Sequence, residues 1–100
     1  MSALVGRFQR LQAYERDSGA AVLGSLASVP ADERTGRAIT RALAVAAHIQ
    51  AARLEWLWRL TGVGERPAAL FFDTMTIGEV EHMTAAADEA WAAYADELTE

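Results

Sequence analysis

Apolar positions recur along this chain with a helical period, and the period restarts twice. Leu4, Phe8, Leu11, Val22 and Leu26 fall on one face of a helix over about residues 2–27, with Tyr14 and Leu23 at its margins. Gly6, Gly19 and Gly24 each weaken that helix by roughly 1 kcal/mol against alanine, so packing has to hold it. The run from Ser28 to Glu33 is a stop followed by a restart, because Pro30 cannot continue a helix but suits the first turn of the next. A second helix is predicted over Ala38 to Leu60, ending at Thr61 with Gly62 in the left-handed position just beyond. Its large apolar residues Ile39, Leu43, Ile49, Leu54, Leu57 and Leu60 occupy most of its circumference. One narrow strip is polar: Arg41, Ala44, Ala52, Glu55 and Arg59 lie within about 40° of His48.

Gly64 and Pro67 keep the next stretch irregular, and the apolar knot Leu70-Phe71-Phe72 is expected to plug one end of a bundle. Thr76 and Glu79 have the spacing of a capping box, with Met75 and Val80 flanking it as a hydrophobic staple. From there Ile77, Val80, Thr84, Ala87, Trp91, Tyr94 and Leu98 repeat at alternating steps of three and four, the stripe of a helix facing a bundle. No internal repeat or linker divides the chain. The expected fold is all-α, a single domain over residues 1–100, with three helices joined by short loops in up-down order.

Composition narrows the function. A chain of 100 residues, 52% hydrophobic and 23% charged, makes one small domain. Such a domain buries only about 60–65% of its extended surface, so oligomerisation is a natural remedy and a homo-oligomer, a dimer, is expected. A net charge of −5 argues against nucleic acid or an anionic membrane, which need a cationic face. The absence of cysteine removes disulfides, thiolate ligands and thiol nucleophiles, and makes the cytoplasm the expected location. No window approaches the roughly 18 apolar residues of a membrane span, and the N-terminus lacks the features of a secretory signal.

Candidate chemistry centres on His48. A metal site on one helix needs ligands three or four residues apart, but Ala44, Val45, Ala51 and Ala52 hold those steps. Glu55 lies two turns away, about 10.5 Å along the axis, too far to share an ion with His48. On the residues alone, a solvated or hydrogen-bonded histidine is favoured over a ligand. Glu79 and His82 have the Glu-x-x-His step of di-metal bundles, but only once, and Glu79 is committed to the capping box. Glu55 and Arg59 form an i,i+4 pair of the kind usually found on solvated faces. Among the tryptophans Trp58 is the expected interface residue. Gly62-Val63-Gly64 lacks the context of a phosphate loop, and Ser25 that of a nucleophile elbow.

Read in order, LQAYERD with VLGSLASVPADE, then ITRALAVAAHIQAARLEWLWRLTG, then MTIGEVEHMTAAADEAWAAYADEL resembles the first three helices of the DinB-like (damage-inducible protein) four-helix bundles. His48-Ile49 followed by Trp56-Leu57 matches that family's second helix, whereas the third segment matches in pattern and in Trp91. The resemblance implies a bundle that holds a divalent metal, often nickel or zinc, on one histidine of the second helix and a His-x-x-x-His pair of the fourth. His48 fits the first position as a metal ligand. The fourth helix is absent from this sequence, so the ligand set is incomplete and no catalytic residue is assigned. Some relatives are metal-dependent thiol transferases, which makes this chain at most a transferase-like remnant, inactive or incomplete in this form, with a small thiol as substrate only if the metal site is completed. The alternative expectation is a non-catalytic helical module that homodimerises or binds a protein partner.

Overall fold

The structure is a computed structural model that describes residues 3–62 and 64–98. It is an all-helical bundle of three long helices: α1 (Ala3–Ala27), α2 (Arg37–Thr61) and α3 (Ile77–Glu97), with one 3-10 turn, Ala31–Glu33, between the first two. No strand occurs among the described residues. The expected start of α1 at Ser2 lies outside them.

Local chemistry places the helix ends. Pro30 stands at the head of the 3-10 turn with φ −55°, and Arg34 clamps the corner by donating to the carbonyls of Val29 and Ala27. Gly62 closes α2 at φ 67° while its N–H donates to the Trp58 carbonyl, a conformation that costs a side-chain-bearing residue about 1–2 kcal/mol. At the head of α3 the Thr76 hydroxyl accepts from the Glu79 N–H at 3.1 Å and the Glu79 carboxylate accepts from the Thr76 N–H at 3.0 Å, the reciprocal capping box. Met75 packs against the core cluster that contains Val80, as a staple should.

Direction is where the chain departs from simple alternation. Gln9 near the start of α1 donates to the Ala95 carbonyl near the end of α3, and Phe8 meets Trp91 and Tyr94, so α1 and α3 are antiparallel. Arg53 reaches Asp88 while Leu43 clusters with Ile77 and Val80, so α2 and α3 run parallel. The connection is therefore no short loop: its described residues 64–76 return along α2, laying Leu70, Phe71 and Phe72 against that helix's flank. Phe72 packs on the core, but Phe71 is 78% exposed and plugs nothing.

Leu26, Ile39, Leu43, Ala46, Ala47, Ile77 and Val80 form the core at one end, and no side chain larger than valine is wholly buried among the described residues. The layer is thin. α1 and α2 each lie on α3, and their backbones stay apart while Leu23 and Leu26 of α1 meet α2 side chains in the core at one end. The Cα extents are 50 × 26 × 15 Å, with a radius of gyration of 14.9 Å against about 13 Å for a compact chain of this length. The accessible surface is 6816 Å², whereas a compact monomer of this mass exposes about 5,500 Å². Roughly 1,300 Å² remains uncovered that a closed bundle would bury.

Candidate functional site

Three places gather chemistry. The first is His48, halfway along α2. Its strip faces neither open water nor a bundle interior but the returning connection: Nδ1 donates to the Leu70 carbonyl, and the imidazole stacks on the Phe71 ring with centroids 4.6 Å apart. Arg41, Val45 and Phe72 complete that shallow cleft. Because a carbonyl only accepts, the proton sits on Nδ1, and in the neutral ring Nε2 keeps its lone pair. His82, on the far side of α3, is exposed.

The second is Glu55, expected on a solvated face and found 4% exposed. The cause is the connection again. Arg66 arrives from it and donates Nε and Nη2 to the two carboxylate oxygens at 2.7 and 2.9 Å, while Arg59 on the next turn donates Nε at 2.7 Å. The hydrogen bonds from Arg66, then those from Arg59, hold the Glu55 carboxyl below its ordinary value against the opposing effect of burial. Arg66 also lies over the Trp58 ring at 4.7 Å, so Trp58 is half-buried under it.

The third place is a groove that opens between α1 and α2, with α3 as its floor. Glu15, Ser18, Val22, Ala46, Ile49 and Thr84 line its middle. Phe8, Leu11, Gln12, Arg53 and Trp91 line the next stretch. Arg53 joins the walls to the floor. Its Nη1 donates to Gln50 at 2.7 Å and to Asp88 at 2.9 Å, its backbone carbonyl accepts from the Trp91 indole at 2.9 Å, and its buried Nη2 has no hydrogen-bond partner. Of the exposed apolar residues of these two helices, Leu11, Val22 and Ile49 line the groove, whereas Val45 lies in the His48 cleft and Leu4, Trp56 and Leu60 stand elsewhere on the surface of α1 and α2.

These positions correct two expectations. Of the five residues that the α1 pattern assigns to its buried face, Leu26 is buried and Phe8 half-buried, but Leu4, Leu11 and Val22 stand in the open, and Val5 takes a core position instead. The exposed tryptophan is Trp56, at 59%, and not Trp58. The missed residues carried a signal, since Val45, Ile49, Ala52, Trp56 and Leu60 recur at steps of four, three, four and four. That is a second complete stripe beside the one used for the core.

Comparison of the chain with protein-family models, curated proteins and solved structures finds no match. Among the described residues no group of three His, Asp or Glu side chains is placed to hold a metal ion, and no helix is long and apolar enough to cross a membrane.

Proposed function

We propose that this chain is a non-catalytic helical association module that works by burying its α1/α2 groove against another protein surface. The observation that carries this reading is the groove lined by the exposed apolar residues Leu11, Val22 and Ile49, between helices that bear further exposed apolar side chains. Exposed apolar surface of this kind marks contact surfaces. The surface excess of roughly 1,300 Å² over the whole chain leaves room for an interface of the usual size, about 800 Å² on each side. Its occupant is either a second copy, giving a homodimer, or a helix of another protein. Sedimentation of the chain, alone and with added helical peptides, tests the reading beside Ile49→Asp and Trp56→Ala. Association that both substitutions abolish, with helix content unchanged by circular dichroism, is the expected result. Association indifferent to both would remove this face from the account.

A second reading follows from the resemblance to DinB-like bundles, in which His48 is a surviving ligand for nickel or zinc in a remnant of a metal-dependent transferase. One observation favours it: metal-binding histidines commonly donate their other nitrogen to a backbone carbonyl, as His48 does to Leu70. The described lining of the cleft does not fit a bound cation, because beside His48 it holds Arg41 and otherwise apolar side chains. Native mass spectrometry with nickel or zinc decides between them. Stoichiometric metal that His48→Ala loses supports the ligand reading and justifies assays with small thiols. Equal metal content in both proteins rejects it.

A further inference from the structure

α2 carries a second apolar seam, narrower than its core stripe and spaced differently. Ala38, Ala42, Val45, Ile49, Ala52 and Trp56 recur at alternating steps of four and three, and Leu60 stands one turn beyond. That is the repeat of about 3.5 residues with which two helices pair along a line. The core of the bundle uses other positions of the same helix, among them Ile39, Leu43, Ala47 and Leu57. Val45, Ile49, Trp56 and Leu60 are 45–62% exposed, so none of the described residues covers the seam.

The sizes along the seam are ordered. Its first half begins with Ala38 and Ala42, its second half ends with Trp56 and Leu60, and Ile49 is the midpoint. Turned end for end about Ile49, the seam meets itself with Trp56 against Ala42, Leu60 against Ala38 and, within one residue, Val45 against Ala52. Each large side chain then lies over a small one. Ala42 and Ala52 are half-buried, so they sit low in the seam where a larger side chain from outside finds room. Laid parallel, the same seam stacks Trp56 on Trp56 and Ala42 on Ala42, a bulge beside a gap.

We infer that the occupant of this surface is a second copy of the chain, with the two α2 helices antiparallel about a two-fold axis at Ile49. This inference rests on the association reading and names the partner and the line of contact, with Ile49 common to groove and seam. A foreign helix would have to supply the complement of small and large residues that α2 already contains. The contact is isologous and closes on itself. Phe71, 78% exposed and stacked on His48, comes close to the axis and adds its ring to the contact. The surface excess of roughly 1,300 Å² is enough for the about 800 Å² that each partner of a stable pair buries. Charge does not drive the pairing: Arg41 and Arg59 border the seam, and Arg41 comes within about a turn of the partner's Arg59. Added salt screens that contact, so it does not loosen the pair.

The chain has no cysteine, so single introduced cysteines report the arrangement directly. Sedimentation at low and high salt is run beside mild oxidation of Ala38→Cys and Leu60→Cys, each alone and mixed. The expected result is a dimer that salt does not weaken, a disulfide-linked dimer in the mixture only, and self-association weakened at least about tenfold by Trp56→Ala and abolished by Ile49→Asp with helix content retained. Ala38→Cys linking to itself, or a dimer whose mixed cysteines stay unlinked, overturns the antiparallel pairing. A dimer that Leu11→Asp and Val22→Asp dissolve but Trp56→Ala leaves intact overturns it as well and keeps the association reading, with the groove as the interface. So does a monomer that binds an added amphipathic helical peptide, which makes another protein the occupant. A monomer that binds no such peptide overturns both.

Discussion

At the scale of single residues, the buried charges make the sharpest expectations. Glu55 ionises below its ordinary value because Arg66 and Arg59 hold its carboxylate. A glutamate in the unfolded chain titrates at about 4.3, so the ion cluster contributes fully above that pH and its contribution disappears as pH falls through the lower native value. Urea titrations across the acid range should therefore show wild-type stability declining below pH 4.3, with a shallower decline in Glu55→Gln, which is already less stable at neutral pH. Arg53 bridges helices in a different way. Arg53→Met removes the donor to Asp88 and Gln50, both largely shielded from water, and is expected to lower the unfolding free energy by about 1–3 kcal/mol in urea. His48 was legible as the residue needing explanation, but its partner, the Leu70 carbonyl 22 positions later, was not, since nothing in a helical period specifies where a distant loop comes to rest.

At the scale of elements, the ends of the helices were written in the sequence and the buried faces only partly. Thr76 and Glu79 close a hydrogen-bonded ring within four residues, and Gly62 needs only its own freedom at positive φ, so both follow from neighbours alone. Removing the cap by Thr76→Ala should cost about 1 kcal/mol in chemical denaturation. In the interior of α1 the opposite change is available. A Cβ at Gly24 meets nothing within 4 Å, so Gly24→Ala should raise stability by about 0.5–1 kcal/mol, read from the shift in urea midpoint. At Gly19 the same atom would lie 3.7 Å from Thr84, an ordinary contact where α1 crosses α3. The buried face of α1 was misjudged because Leu4, Leu11 and Val22 form as good a stripe as Val5, Leu23 and Leu26. With two stripes on one helix, periodicity finds the helix and leaves its rotation open.

At the scale of the molecule, the decisive feature is that α1 and α2 both lie on α3 and meet one another only where Leu23 and Leu26 join the core, leaving a groove along the rest. An open layer of this kind should bind a hydrophobic dye, and a groove-filling partner should displace it. Ile49→Asp should reduce dye fluorescence without lowering the helical signal, because Ile49 is already 45% exposed and its loss removes rim surface rather than core. A dye signal unchanged by that substitution would place the accessible apolar surface elsewhere. Charge is also a property of the whole: the net of −5 is the sum of two helices with a positive balance and a third that is acidic.

Local patterning was enough for three helices, an all-α class, the Thr76 capping box and the Gly62 stop. Each of these depends on residues within a turn of one another or on bulk composition. Long-range packing decided that α3 runs parallel to α2, that residues 64–76 fold back to clamp Glu55 and cover His48, and that the second apolar stripe of α2 stays uncovered. Those outcomes rest on contacts between residues far apart in the chain, such as Arg53 with Asp88 and Arg66 with Glu55. A pattern of period 3.6 assigns residues to faces, but only packing selects which face meets which helix.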